Sequence, residues 1–192
     1  MYPAIFLDRD GVLIENRPDY VREGSQARLF PETIPALART ELKSYRIVIV
    51  TNQSVVGRGL IPLEKAQEIN ARLVDLIRGQ GGRLDRVYMC PHGPGEGCAC
   101  RKPNPGLLLQ AAADLSIDLP RSWMIGDAWT DLQAGRAAGV QGLILVRTGR
   151  GEDQLLQPQP EDIIQPLILG NLGLAIDTIL HLDKARTLNE SH

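Results

Sequence analysis

The chain has 192 residues, a formal net charge of -2 at pH 7 and an apolar content of 43%. This length and composition suit one well-packed globular unit, so we expect residues 1–192 to form a single domain. The slightly acidic balance argues against a surface that coats nucleic acid. The first residues lack a basic segment followed by an apolar stretch, and no apolar run approaches the ~18 residues of a membrane helix. We therefore expect a cytoplasmic protein without a nucleic-acid or membrane partner.

Short apolar runs alternate with longer helical patterns along the chain. Strands are predicted for residues 4–7, 46–50, 86–89, 122–125, 142–146 and 167–169. Helices are predicted for residues 31–43, 62–79, 105–115 and 130–138, with a final helix reaching about residue 182, whereas residues 148–160 resemble a linker. This alternation predicts an α/β fold, a Rossmann-like and mostly parallel sheet with helices on both faces.

The first strand runs directly into two acids. Asp8 and Asp10 follow the apolar residues 4–7 and are two positions apart. Side chains at this spacing point the same way on an extended backbone, so the two carboxylates converge. They repel each other unless a cation lies between them, and Mg²⁺ prefers such oxygen ligands. Taken alone, this motif has a second interpretation as a solvated turn.

Polar groups also follow three later strands, and open parallel sheets bind ligands at the carboxyl ends of their strands. The segment Thr51–Ser54 offers hydroxyl and amide groups that suit phosphate oxygens, and Lys102 follows the third strand. The fourth strand ends in Asp127, with Asp131 shortly after it. Each group has an ordinary alternative as a turn, a solvated charge or a helix cap. As a set they predict an anion site with a metal.

This set resembles the haloacid dehalogenase-like (HAD-like) phosphohydrolase superfamily. The resemblance covers about residues 4–150 and rests on four motifs, which are Asp8-Arg9-Asp10-Gly11-Val12, Thr51, Lys102, and Gly126-Asp127 with Asp131.

The resemblance implies Mg²⁺-dependent hydrolysis of a phosphomonoester through an aspartyl-phosphate. It implies that Asp8 is the nucleophile and that Asp10 is the general acid and base. Asp8, Asp127 and the main-chain carbonyl of Asp10 would bind Mg²⁺, and Asp131 would support these ligands. Thr51 and Lys102 would hold the phosphoryl oxygens. A non-catalytic phospho-accepting module is less favoured, because such modules lack an acid at the position of Asp10.

All three cysteines lie in one glycine-rich segment. Cys90, His92, Cys98 and Cys100 form the pattern Cys-x-His-x5-Cys-x-Cys, a donor set typical of a closed tetrahedral Zn²⁺ site. A disulfide is the alternative, but it would leave one thiol over, and cytoplasmic chains rarely keep disulfides. We predict a zinc loop over residues 90–103 that fixes the approach of Lys102 to the phosphate.

The spacing of the motifs leaves no room for a cap domain. About 40 residues separate Asp10 from Thr51 and about 50 separate Thr51 from Lys102, and core elements occupy both intervals. The loops of residues 16–28 and 55–60, together with the zinc loop, would then form the walls of the site.

Within the superfamily, the zinc loop and Thr-Asn-Gln-Ser are similar to the heptose 1,7-bisphosphate 7-phosphatases. This resemblance implies a small sugar phosphate as the substrate, and we expect the protein to be a monomer. The histidinol-phosphate phosphatases share the zinc loop and remain the alternative, and a nucleic-acid end phosphatase is less favoured by the acidic charge. The matching positions imply substrate contacts from Arg17, Pro18, Asp19, Tyr20, Thr51, Asn52, Gln53, Ser54, Arg101 and Lys102.

Overall fold

The computed structural model describes residues 1–189. Its strands are β1 Ala4–Leu7, β2 Arg46–Asn52, β3 Arg86–Cys90, β4 Trp123–Gly126, β5 Gly142–Val146 and β6 Leu167–Leu169. They form one sheet in the order β3-β2-β1-β4-β5-β6, and each neighbouring pair is parallel. The predicted α/β fold with a parallel sheet is therefore confirmed. β1 lies in the middle of the sheet, which places its carboxyl end beside those of β2 and β4.

Helices connect these strands, and one more helix follows the last strand. They are α1 Thr33–Leu37, α2 Ser54–Gly57, α3 Leu63–Gly79, α4 Gly106–Leu115, α5 Trp129–Ala138, α6 Gly151–Leu155 and α7 Leu172–Asn189. Short 3-10 helices occur at Gly24–Gln26, Thr40–Ser44 and Leu119–Arg121.

Helices cover both faces of the sheet, as the packing of β1 shows. Successive side chains of a strand point to opposite faces, and all four residues of β1 are buried. Ile5 and Leu7 belong to a core cluster shared with α1, α3 and α7, whereas Ala4 and Phe6 belong to a second cluster shared with α4 and α5. A continuous apolar run is the pattern expected of a strand buried on both sides.

The predicted helix over residues 31–43 is wrong in its second half. α1 ends at Leu37, and Arg39 has extended backbone before the 3-10 helix begins. The Arg39 guanidinium forms ion pairs with Glu41 and with Asp177 of α7. The end of the helix thus coincides with a contact between Arg39 and the distant helix α7. Local sequence patterns cannot predict such a long-range contact.

Two segments that were expected to be irregular contain helices. Ser54–Gly57 forms α2 inside the polar region after β2, and α6 lies inside the predicted linker of residues 148–160. Gln154 fixes α6 against α5, because its side-chain and main-chain oxygens accept hydrogen bonds from the Trp129 main-chain and indole N–H groups at 2.9 Å and 2.8 Å.

The intervals between the first three strands hold only short connections and the helices α1 to α3. No cap domain is therefore inserted at either position in the part of the chain that the structure describes. None of the helices within residues 1–189 is long and apolar enough to cross a membrane.

Candidate active site

A buried lysine lies at the centre of the site. Asp8 follows β1, and its main-chain N–H donates to the Ile125 carbonyl at 3.0 Å, which continues the pairing of β1 with β4. The Lys102 ammonium group donates to Asp8 Oδ1 at 2.7 Å and to the Val50 carbonyl at 2.8 Å. It also lies 2.6 Å from Asp131 Oδ1. One cation thus joins an acid that follows β1 to an acid in the first turn of α5.

Burial determines the electrostatics of this group. Asp8 and Lys102 are 4% and 3% exposed. Burial raises the pKa of Asp8, and the Lys102 ammonium group opposes that rise. Burial on its own would lower the pKa of Lys102, but Asp131 and Asp8 raise it above its usual value. Lys102 therefore remains charged, and its charge favours an ionised Asp8.

A second acid pair follows β4. The carboxylate oxygens of Asp8, Asp127 and Asp131 lie within 4.8 Å of one another, and all three residues are buried. Asp131 also accepts a hydrogen bond from the Ala128 main-chain N–H at 3.0 Å and so caps α5. A β-carbon on Gly126 would lie 2.2 Å from the Asp131 β-carbon, so this close packing requires glycine. Three converging buried carboxylates fit a hard divalent cation such as Mg²⁺.

Asp10 is held by an arginine that the sequence analysis did not single out. Arg9 is 2% exposed, and its guanidinium donates to both carboxylate oxygens of Asp10 at 3.0 Å and 3.1 Å. It also donates to Gln53 Oε1 at 3.0 Å and to Asn70 Oδ1 at 2.8 Å. Gln53 Nε2 in turn donates to Asp10 Oδ2 at 3.1 Å. This network fixes the orientation of the Asp10 carboxylate.

Residues at the end of β2 and just after it hold the loop that carries Lys102. The Asn52 side chain accepts from the Lys102 main-chain N–H and donates to the Lys102 carbonyl, both at 3.1 Å. Arg101 Nη1 donates to Ser54 Oγ at 2.8 Å and to the His92 carbonyl at 3.0 Å. These four predicted contact residues therefore also position one another.

The site opens into a cavity of about 630 Å³. Most of the predicted substrate contacts line it, and so does Arg58. Asp19 and Thr51 are exceptions, since neither lines the cavity. Thr51 is fully buried, and its hydroxyl accepts a hydrogen bond from Gln53 Nε2 at 2.8 Å. The predicted contacts that line the cavity are Arg17, Pro18, Tyr20, Asn52, Gln53, Ser54, Arg101 and Lys102.

The four predicted zinc ligands converge beside this cavity. Cys90 Sγ lies 3.6 Å from Cys98 Sγ, 3.1 Å from Cys100 Sγ and 3.5 Å from His92 Nδ1. Cys100 Sγ lies 3.5 Å from Cys98 Sγ and 3.3 Å from His92 Nδ1. Donors bound to one tetrahedral zinc at ~2.0 to 2.3 Å stand roughly 3.5 to 3.8 Å apart. The thiols are not joined in a disulfide, so the cluster fits zinc in composition and spacing.

The loop after β5 contributes to the site, although it was interpreted as part of a linker. Arg150 Nη2 donates to Asp127 Oδ1 at 2.9 Å, and its main-chain N–H donates to Asp127 Oδ2 at 2.9 Å. Asn16 Nδ2 donates to the same Oδ2 at 2.7 Å. The sequence does contain a signal for this contribution. Thr148-Gly149-Arg150 follows a fifth strand of the same parallel sheet, and such sheets bind ligands at the carboxyl ends of their strands.

Comparisons with known proteins agree with this arrangement. The HAD-hydrolase-like family model matches residues 99–168. The D-glycero-beta-D-manno-heptose-1,7-bisphosphate 7-phosphatase of Pseudomonas aeruginosa is 40% identical over 176 residues, which cover 92% of this chain and 97% of that protein. The protein of the same name from Pseudomonas putida is 39% identical over 82% of this chain and 89% of its own length.

A solved structure extends the likeness to three dimensions. The D,D-heptose 1,7-bisphosphate phosphatase of Bordetella bronchiseptica, crystallised with magnesium and phosphate, has a TM-score of 0.84 and 34% identity to this chain. The match covers 93% of this chain and 98% of that one. The prediction of a HAD-like phosphatase is therefore confirmed. This chain belongs to the family of the D-glycero-beta-D-manno-heptose-1,7-bisphosphate 7-phosphatases, within the HAD-like hydrolases.

Proposed function

We propose that the protein removes the 7-phosphate of D-glycero-D-manno-heptose 1,7-bisphosphate, in the synthesis of nucleotide-heptose precursors for lipopolysaccharide or S-layer glycans. The observation that carries the proposal is the ion pair of Asp8 with Lys102, at 2.7 Å, beneath a cavity lined by several arginines. Relatives named for this reaction are about 40% identical over most of the chain. We further propose a single-domain cytoplasmic monomer.

In the first half of the reaction, an Asp8 carboxylate oxygen attacks phosphorus. The new oxygen–phosphorus bond forms while the bond between phosphorus and the sugar oxygen breaks. Asp10 gives its proton to the departing sugar oxygen, so an alcohol leaves rather than an alkoxide. The contacts of Asp10 with Arg9 and Gln53 fix the orientation of its carboxylate in the cavity that Asp8 also lines.

In the second half, water attacks the phosphorus of the aspartyl-phosphate. Asp10, now ionised, takes a proton from that water, and the bond between Asp8 and phosphorus breaks to release inorganic phosphate. Asp8, Asp127 and the main-chain carbonyl of Asp10 would hold Mg²⁺, which when bound offsets the negative charges of the nucleophile and the phosphate. Lys102 supplies a fixed positive charge beside the transferring group.

Substrate selection is assigned to the arginines of the cavity. A sugar bisphosphate carries a second anionic group, and a guanidinium fork matches phosphate oxygens better than a point charge does. Arg17, Arg58 and Arg101 line the same cavity as the nucleophile. Arg101 is the best fixed of the three, because Ser54 and the His92 carbonyl both accept hydrogen bonds from it. We therefore assign the sugar or its remote phosphate to Arg101.

The nucleophile is tested by Asp8→Asn. The amide cannot form the aspartyl-phosphate, so phosphate release should fall by at least about 10³-fold while the protein stays folded. Release of inorganic phosphate and trapping of the phosphorylated enzyme measure the two effects. Asp153→Asn is the matched control, because Asp153 lines the cavity but lies outside the acid cluster. Undiminished turnover of Asp8→Asn would contradict the mechanism.

The substrate is tested with heptose 1,7-bisphosphate, heptose 7-phosphate and histidinol phosphate. We expect the highest kcat/KM for the bisphosphate, since binding of the remote phosphate is used in the transition state. Arg101→Ala should reduce this preference by about 10-fold or more, the usual effect of losing a hydrogen bond to a charged group. Activity on p-nitrophenyl phosphate should change much less.

Arg121→Ala serves as the control for that substitution, because Arg121 precedes β4 and so lies near the amino end of that strand, away from the site at the carboxyl ends. A higher kcat/KM for histidinol phosphate would transfer the assignment to the alternative substrate. Equal values for all three substrates would leave the protein a phosphatase without a sugar-specific pocket.

We also propose that the Cys90, His92, Cys98 and Cys100 cluster holds one structural Zn²⁺ per chain. Zinc would fix the loop from which Arg101 and Lys102 reach the site. Cys98→Ser should therefore lose zinc, lower the Tm and reduce kcat/KM by about 10-fold or more. Elemental analysis and thermal unfolding measure the first two effects. As a control, Ala99→Ser changes an exposed residue of the same loop, and this variant should keep its zinc. If the unmodified protein, purified without chelator, contains no zinc, the proposal is refuted.

A further inference from the structure

Arg150 forms a bidentate contact with the acid that follows β4. Its Nη2 lies 2.9 Å from Asp127 Oδ1 and its Nε lies 3.3 Å from Asp127 Oδ2. Asp127 is fully buried, whereas the Arg150 side chain is 56% exposed. The guanidinium of a partly exposed arginine thus contacts the buried carboxylate of Asp127 in the site.

The loop that carries Arg150 is built to make this contact. Thr148 Oγ1 donates to the Gly11 carbonyl at 2.6 Å, which ties the loop to the turn after Asp10. Gly149 has a φ of +61°, and a β-carbon there would lie 2.4 Å from both Asp127 Oδ2 and the Gly11 α-carbon. Only glycine allows this approach. The Arg150 main-chain N–H then reaches Asp127 Oδ2 at 2.9 Å.

The contact conflicts with the expected role of Asp127 as a metal ligand. Asp127 Oδ2 already accepts hydrogen bonds from Asn16 and from the Arg150 main chain, so Oδ1 is the oxygen better placed for a cation. The Arg150 guanidinium holds that oxygen as well. A guanidinium and a divalent cation at one carboxylate oxygen repel each other, so each weakens the binding of the other.

We propose that Arg150 and the catalytic divalent cation compete for Asp127, so that binding of the cation releases the Arg150 side chain into the cavity. Arg150 is the cation that leaves because its side chain is 56% exposed and is rehydrated when it departs, while the bound cation takes its place as the partner of the buried Asp127. Lys102 stays, because it is buried between Asp8 and Asp131. The competition makes metal binding weaker than the acid cluster alone would give. It does not depend on which phosphate ester is hydrolysed.

Arg150→Ala tests the competition through metal binding itself. Titration calorimetry with MgCl₂, in the absence of any phosphate, should give a dissociation constant about 10-fold lower than that of the unmodified protein, within the usual range of coupling between sites. Thermal unfolding adds a second readout. The Tm without added divalent cation should fall, because Asp127 loses its partner, while the Tm at saturating Mg²⁺ should stay unchanged.

Two further variants complete the experiment. Arg147→Ala removes an exposed arginine of the same loop that pairs with Glu152, and it should change neither the Mg²⁺ affinity nor the Tm difference. Arg150→Gln removes the charge but keeps a hydrogen-bond donor, so it should bind Mg²⁺ more tightly even if the alanine variant folds poorly. An unchanged or weaker Mg²⁺ affinity of Arg150→Gln would overturn the proposal.

Discussion

The site depends on one buried cation. Acids from two neighbouring strands converge in a volume from which water is excluded, and such a group of carboxylates is unstable without a compensating charge. The Lys102 ammonium group supplies that charge between Asp8 and Asp131. Its third contact, with the Val50 carbonyl, attaches the same group to β2. One side chain therefore links Asp8 after β1, Asp131 in α5 and the main chain of β2.

The surrounding structure holds this lysine in place. The Asn52 side chain forms hydrogen bonds with both the N–H and the carbonyl of the Lys102 main chain. The preceding residue, Arg101, donates to the Ser54 hydroxyl and to the His92 carbonyl. The Cys/His cluster ends immediately before Arg101, so the proposed zinc would act on the reaction through the position of Arg101 and Lys102. Arg9 has the corresponding function for Asp10. A residue that reacts or binds the phosphate thus stands next in the chain to a residue that positions the site, as Lys102 does beside Arg101 and Asp10 beside Arg9. A movement of either loop would therefore displace both residues of the pair.

The sequence predicted the strands and the acids at their ends well, because buried parallel strands are continuous apolar runs and because ligands gather where such strands stop. It did not predict α6 or the contribution of Arg150, since the residues around them are polar and rich in glycine and proline. Their placement depends on Gln154 and Thr148 bonding to distant residues. The burial of Arg9 was also missed, because an arginine between two acids usually indicates a solvated position.

The most direct test of this account is a double-mutant cycle on Lys102→Met and Asp131→Asn, with free energies of unfolding measured in urea at a fixed, saturating Mg²⁺ concentration. Lys102→Met leaves the buried carboxylates of Asp8 and Asp131 without their cation and should cost about 3 to 5 kcal/mol. Asp131→Asn leaves Lys102 paired with Asp8 and should cost less. The double change should cost less than the sum of the two by at least about 1 kcal/mol. Strictly additive losses would contradict the claim that Lys102 is the charge on which the acid cluster depends.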